Sequence, residues 1–194
     1  MSIYLIRHGQ TAGNADRRLQ QPDVPLNDLG LEQASKLGVR LASAGIGTVL
    51  SSDLTRAHQT AEAVANGAAA PLQLEPLLQE RNFGEWRGMR YDDVGPDLFD
   101  ETSNPPGGES GAVFCERADL AWERIVAFAA EKEGAGHIAV VTHGLMYRAL
   151  FARHLIVETA GTDGLPNPGN TAVSIIEHSP PHNVSLFACT AHLD

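Results

Sequence analysis

Cysteine is scarce: two occur in 194 residues, Cys115 and Cys189. They form no C-x-x-C pair and no metal-ligand spacing, which excludes a disulfide framework and a thiolate metal centre as organising features. Free, mostly buried thiols in a reducing cytosol are the expectation. No apolar run approaches transmembrane length, and Ile3-Tyr4-Leu5-Ile6 is too short for the core of a secretory signal. A cytoplasmic location is expected. Basic residues are also few, 14 Lys and Arg against 24 Asp and Glu, a formal net charge of −10. That balance argues against nucleic acid or an anionic membrane as partner. An anionic ligand would have to be drawn by a local cluster of cations. There is no internal repeat and no long low-complexity segment. The length suits one domain, residues 1–194, with a single sizeable core.

What is present begins at the first strand-like run. Ile3-Tyr4-Leu5-Ile6 leads directly into Arg7-His8-Gly9-Gln10-Thr11. An arginine and a histidine thus stand where a short buried strand ends and a glycine turn begins. A second run, His137-Ile138-Ala139-Val140-Val141-Thr142, ends the same way in His143-Gly144. A third, Thr48-Val49-Leu50, runs into Ser51-Ser52-Asp53 and a helix-like stretch carrying Arg56. Strands separated by long helical segments predict a parallel sheet, whose strand ends share one ligand-binding edge. Arg7, His8, Arg56 and His143 are therefore expected to converge as an anion site. A guanidinium grips phosphate oxygens in a fork, and an imidazole beside it can attack phosphorus.

Helical periodicity supplies the layers. Asn27 is placed to cap a helix with Leu31, Ala34, Leu37, Leu41 and Ala44 inward, ending near Gly45. Ser52 or Asp53 is placed to cap the next, with Leu54, Ala57, Ala61 and Val64 inward. Ser110 opens a third, with Phe114, Ala118, Ala121, Trp122, Ile125 and Ala129 inward, and Gly144 to Arg153 gives a short fourth. Ala172 to Ile176 and Val184 to Cys189 read as strands whose Pro180-Pro181 connection is no tight hairpin. The segment from about 90 to 108 carries Asp92, Asp93, Asp97, Asp100 and Glu101 with Pro96, Pro105 and Pro106. It offers little core and reads either as a partly helical lid or as a solvated loop.

No metal is expected. His178 and His182 have the spacing of a helical ligand pair, but Pro180 and Pro181 between them forbid the helix. His58, His137, His154 and His192 form no cluster by spacing. Gly107-Gly108 lacks the lysine and hydroxyl residue of a phosphate loop and reads as a hinge before a helix.

Taken in order, several stretches resemble the histidine phosphatase superfamily, the branch that includes the cofactor-dependent phosphoglycerate mutases. They are Arg7 to Thr11 with Asn14, Pro25 to Gly30 with Gln33-Ala34, Ser51 to Ala57, Glu80 to Gly88, Gly107 to Ser110, Val141 to Gly144 and Asn170 to Ala172. The resemblance implies a three-layer α/β/α sandwich with a mostly parallel central sheet. It implies His8 as a nucleophile that forms a phosphohistidine, its other ring nitrogen held by a carbonyl near Gly9. Arg7, Arg56 and His143 become phosphate clamps, His143 as a charged donor, and Asn14 a further amide donor. Glu80 becomes the acid that protonates the leaving oxygen, with Phe83 and Trp86 as apolar walls; Glu85 competes by spacing alone. The pair Glu80-Arg81 looks like the mutases and makes Arg81 a substrate-binding candidate, whereas Phe83 to Gly88 looks like the small phosphatases. The acidic stretch that follows departs from the mutases' basic one. The expectation is a phosphatase of small phosphorylated metabolites, free of metal and cofactor. The alternatives are a phosphoglycerate mutase and a phospho-ligand binding protein without turnover.

Overall fold

A computed structural model of the chain describes residues 1–94, 100, 102–157 and 167–194; Pro96, Asp97 and Glu101 lie outside the described residues. The β-strands are β1 (Ser2–Arg7), β2 (Ile46–Ser51), β3 (Leu72–Leu74), β4 (His137–Thr142), β5 (Val173–Glu177) and β6 (Val184–Cys189). The α-helices are α1 (Ala12–Ala15), α2 (Asp28–Leu41), α3 (Thr55–Ala68), α4 (Tyr91–Val94), α5 (Gly111–Glu131) and α6 (Gly144–His154).

The strands form one sheet in the order β3-β2-β4-β1-β5-β6. β3, β2, β4 and β1 are mutually parallel. β5 runs against β1, and β6 against β5, so β5 alone is reversed. Side-chain alternation along the strands separates two cores. Ile3, Leu5, Ile138, Val140 and Ile176 pack under α5 and α6, against Phe114, Trp122, Ile125, Phe128, Tyr147 and Phe151. Ile6, Val49, Ala139, Val141 and Val173 pack under α2 and α3, against Leu37, Leu41, Ala57, Ala61 and Val64. The result is the three-layer sandwich with a mostly parallel sheet that the family resemblance implies.

The helix starts follow local chemistry. The Asn27 side chain accepts the Gly30 N–H and the Ser110 side chain accepts the Val113 N–H, each satisfying an orphan donor of a first turn. Three details differ from the periodicity. Leu31 is exposed, because the buried stripe of α2 runs through Gly30, Gln33, Ala34, Leu37, Gly38 and Leu41, and Leu31 lies about 100° round from it. α2 ends at Leu41, so Ala44 packs from the following turn. The N-cap of α3 is Leu54 without a side-chain cap, although the Ser52 hydroxyl accepts the Leu54 N–H at 3.2 Å.

One topological feature positions the site. After β1 the chain turns into α2, on one face of the sheet; after adjacent β4 it turns into α6, on the other face. The two connections diverge, and a crevice opens between the C-terminal ends of β1 and β4.

Candidate active site

His8 directly follows β1. Its backbone N–H donates to the Thr142 carbonyl at 2.9 Å, so the residue is still tied to β4 as the chain leaves the sheet. Its Nδ1 lies 2.7 Å from the Gly9 carbonyl oxygen. A carbonyl only accepts, so Nδ1 carries the proton and Nε2 presents a lone pair. The turn is compact because α2 abuts it: a Cβ at Gly30 would overlap the Gln10 carbonyl. Burial, and then the charges of Arg56 and Arg7, push the His8 pKa well below the usual histidine range. The ring is neutral at neutral pH, the form a nucleophile needs.

His143 directly follows β4 and is fully buried. Its ring centroid lies 5.1 Å from that of His8, the planes tilted by 57°. Nε2 is 2.8 Å from the Ser52 hydroxyl, while Nδ1 has no hydrogen-bond partner. The Ser52 oxygen already accepts from Leu54, so donating its own proton to Nε2 satisfies both groups and leaves the ring proton on Nδ1. Burial first, then Arg56, His8 and Arg7, lower the His143 pKa well below the usual range. Burial above all, with the neighbouring guanidiniums, keeps the ring neutral here; the charged donor expected from the sequence is the form that a bound phosphate would favour.

Arg7 ends β1 and Arg56 lies in the first turn of α3. One Nη of Arg7 donates to the Pro168 carbonyl at 2.7 Å; one Nη of Arg56 donates to the Gln21 carbonyl at 3.1 Å. These bonds fix the planes of the guanidiniums. The Nε of each is buried without a partner. Among the described residues, the buried side-chain atoms lacking a hydrogen bond are Arg7 Nε, Arg56 Nε, His143 Nδ1 and Ser103 Oγ. Three of the four belong to this site. Unmade buried hydrogen bonds are costly, and their concentration here leaves three groups available to an acceptor. Burial draws the Arg56 pKa down to about 10 and lowers that of Arg7; the Glu80 charge opposes both shifts, and each stays cationic at neutral pH.

Glu80 reaches the same crevice from the segment after β3. Its carboxylate accepts the N–H groups of Leu145 (3.1 Å) and Met146 (3.3 Å) at the start of α6, and that of the adjacent Arg81 (3.0 Å). Backbone amides therefore hold it, where the sequence suggested aromatic walls. Phe83 lines the cavity, while Trp86 packs in a small cluster with Leu19 and Phe83. Glu85 is exposed and is not among the lining residues.

Asn14 lines the cavity as well. Its Oδ1 accepts from Asn170 at 3.2 Å and from the Thr11 N–H at 3.2 Å. Arg81 is buried, and its guanidinium donates to the carbonyls of Ser103 (2.6 Å) and Glu109 (3.0 and 3.1 Å). It ties the 103–109 segment to the site wall.

The cavity, open on one side, has a volume of about 270 Å³. Arg7, His8, Arg56 and Glu80 stand among its lining residues, and so do Arg17, Arg87 and Arg148. Leu19, Phe83 and Leu145 supply an apolar side. Tyr91, the first residue of α4, also lines it. The Tyr91 N–H donates to the Arg17 carbonyl and the Leu19 N–H to that of Met89, so the start of the acidic segment is bound to the loop after α1. Sequence reasoning weighed Ser52 only as a helix cap and missed Arg117. The Arg117 guanidinium donates to both carboxylate oxygens of Glu109 and to the carbonyls of Leu77, Gln79 and Glu80, bracing the Glu80 backbone. An arginine at a buried-stripe edge of α5 is the only local signal it leaves. Among the described residues no group of His, Cys, Asp and Glu is arranged to hold a metal ion, and no helix is long and apolar enough to cross a membrane.

His8 and Arg7 at the end of β1, His143 at the end of β4 and Arg56 in the first turn of α3, with a carboxylate opposite, make this an α/β protein with a cationic crevice suited to an anion. The chain belongs to the histidine phosphatase superfamily (branch 1), whose family profile matches residues 3–188. It is 36% identical over 167 residues to phosphoglycerate mutase-like protein 4 of Arabidopsis thaliana, covering 78% of this chain and 70% of that protein. It is 30% identical over 188 residues to the probable phosphoglycerate mutase GpmB of Erwinia tasmaniensis, covering 92% and 85%. Against GpmB of Yersinia pestis the match is 35% over 117 residues and spans about half of that protein, 54%. Among solved structures, Bacillus stearothermophilus YhfR superposes with a TM-score of 0.84 at 29% identity, covering 100% and 99% of the two chains. A mycobacterial glucosyl-3-phosphoglycerate phosphatase in complex with VO3 gives 0.78 at 28%, covering 95% and 96%.

Proposed function

We propose that this chain is a metal-independent phosphatase of small phosphomonoesters, working through a phosphohistidine at His8. The observation that carries the reading is the pairing of a free His8 Nε2 lone pair with the unpartnered N–H groups of Arg7, Arg56 and His143. The donors suit the equatorial oxygens of a transferring phosphoryl group, and the lone pair suits in-line attack. In the first step the Nε2–P bond forms as the ester P–O bond breaks, and the departing alkoxide takes a proton from Glu80. In the second, Glu80 takes a proton from water, the oxygen attacks phosphorus, and the P–N bond breaks to return neutral His8 and free phosphate. The arginines supply the positive charge that a metal would otherwise bring.

The mutase reading has the names of several relatives in its favour. One observation favours hydrolysis: the segment after the Glu80 motif is acidic, which repels a bisphosphate. A binding protein without turnover would have no need of the nucleophile and acid together. A cytoplasmic enzyme acting on a small phosphorylated metabolite, as one catalytic domain, accords with the free cysteines and the cavity size.

The experiment offers 3-phosphoglycerate with catalytic 2,3-bisphosphoglycerate and follows 2-phosphoglycerate and free phosphate in one tube. Phosphate release is expected to dominate; isomerisation much faster than release would make the mutase reading correct. Acid-labile, alkali-stable label should appear on His8 and be absent from His8→Ala. Label on another residue type would overturn the mechanism.

A further inference from the structure

Thr171 adopts φ of +55°, the left-handed region that a β-branched side chain rarely enters. Such a conformation persists only where the surroundings over-determine it, and here they do. Thr171 is fully buried. Its backbone N–H donates to the His8 carbonyl at 3.3 Å, and its hydroxyl donates to the Asn170 carbonyl at 2.7 Å. The same hydroxyl lies 2.9 Å from Nε2 of His192, a residue of the short 3₁₀ turn Ala191–Leu193 that follows β6.

The direction of every proton in this chain of contacts is determined. The other His192 nitrogen, Nδ1, lies 2.9 Å from an Nη of Arg40, in the last turn of α2. A guanidinium only donates, so Nδ1 accepts and the ring proton is on Nε2, pointed at Thr171. Burial, followed by Arg40 and Lys36 and opposed by Asp194, lowers the His192 pKa to about 4, which keeps the ring neutral at neutral pH. Arg40 is itself held by the Cys189 carbonyl and thiol, each at 3.3 Å. At the other end, the Asn170 side chain donates to the His8 carbonyl at 3.1 Å and to Asn14 at 3.2 Å. Both donors to the His8 carbonyl therefore come from one dipeptide, Asn170-Thr171. His192 holds the strained half of it.

We propose that His192 is a positioning residue for His8, acting through Thr171. It does not line the cavity. Its Nε2–H keeps Thr171 in the left-handed conformation, which aims the Thr171 N–H at the His8 carbonyl and fixes the backbone that carries the imidazole. The proposal rests on the reading of His8 as nucleophile.

The test uses two readouts on the whole protein: hydrolysis of nitrophenyl phosphate, and hydrogen exchange of the Thr171 amide. His192→Ala should speed Thr171 exchange at least tenfold while core amides of β1 and β4 stay protected. It should lower kcat by about tenfold or more with little change in KM, as for a misplaced reacting group. His192→Gln, which can present an amide N–H near the Nε2 position, should recover most of both losses. His192→Asn can accept only from Arg40 and should not. In the double variant His192→Ala with Thr171→Val, kcat should be no lower than in Thr171→Val alone, because the two lie on one path. Unchanged Thr171 exchange, equal behaviour of Gln and Asn, or losses that multiply in the double variant would each overturn the proposal. If the native protein hydrolyses no phosphomonoester, the functional reading fails, while the exchange measurements still decide whether His192 holds the Thr171 contact to His8.

Discussion

The Nε2 atom of His143 lies 2.8 Å from the hydroxyl of Ser52, across 91 residues of chain. That contact sends the ring proton to Nδ1, the nitrogen with no other partner. Ser52→Ala should leave Nε2 orphaned, at a cost of about 1–3 kcal/mol for a buried unsatisfied group. Taken up in the transition state, this corresponds to about a tenfold to hundredfold loss of kcat/KM. Nitrogen-15 spectra of the ring should show the Nδ1–H tautomer in the native protein and a mixture in the variant. Ser52→Thr, which keeps the hydroxyl, should restore both; an unaltered tautomer in Ser52→Ala would refute the assignment.

Glu80→Gln should slow turnover of alkyl phosphates by about 10²–10⁴-fold, the usual contribution of general acid catalysis. Nitrophenyl phosphate should suffer far less, since nitrophenolate leaves without a proton. Equal losses on both substrates would assign Glu80 to holding the start of α6, whose Leu145 and Met146 amides it accepts. Glu85→Gln should be silent, because that side chain is exposed and off the cavity lining.

Activity should survive exhaustive chelation and be inhibited by vanadate, which expands toward the geometry of a transferring phosphoryl group. The charge comes from Arg7 and Arg56, whose unpartnered Nε–H groups are built into the fold. Loss of activity on chelation, restored by a divalent ion, would mean that a metal takes part.

The depressed pKa values of His8 and His143 predict a pH dependence of stability. Below the ordinary histidine value of about 6.5, the unfolded chain binds protons that the folded site refuses. Stability should therefore be full above pH 6.5 and fall as pH drops from there toward the depressed folded values. The slope can reach about 1.4 kcal/mol per pH unit for each group. Urea titrations between pH 7.5 and 5 should show a steeper loss for the native protein than for the double variant His8→Asn with His143→Asn. Parallel curves would show that the two rings accept protons as readily folded as unfolded.

Arg117→Met should destabilise the protein by about 3 kcal/mol, since it leaves Glu109 and three backbone carbonyls without their shared donor. Arg117→Lys should recover little, because an ammonium cannot reproduce the planar fork. Chemical denaturation measures both; full recovery by lysine would reduce the site to a matter of charge.

Much of the fold was legible because its signals are local. Short unbroken apolar runs announce β1 and β4, and Asn27 and Ser110 announce the starts of α2 and α5, since each effect is decided within a few residues. Leu31 shows where this ends. A stripe read from hydrophobicity alone includes it, but close packing of Gly38 against the Ala63 backbone turns the helix so that Leu31 faces outward. The candidate site divides the same way. Arg7, His8 and His143 stand at strand ends visible in the sequence. Glu80 was separated from Glu85 by resemblance, and in the structure by access to the start of α6. Arg81, expected as a substrate contact, does line the cavity, and only the structure shows that its guanidinium also donates to carbonyls of the 103–109 segment.

The sequence by itself determined that two Xaa-His-Gly turns end apolar strands and that arginines accompany them, because backbone periodicity and turn chemistry are encoded in neighbouring residues. It also determined the parallel character of the sheet, through the helical segments between strands. The tertiary structure alone decided which groups complete one another's hydrogen bonds. The register that sets Ser51 opposite Val141 brings Ser52 to His143, and the return of the chain through β5 and β6 brings His192 to Thr171 and Thr171 to His8. Those pairings depend on the positions of strands and turns brought together from distant parts of the chain, and no local pattern of residues carries that information.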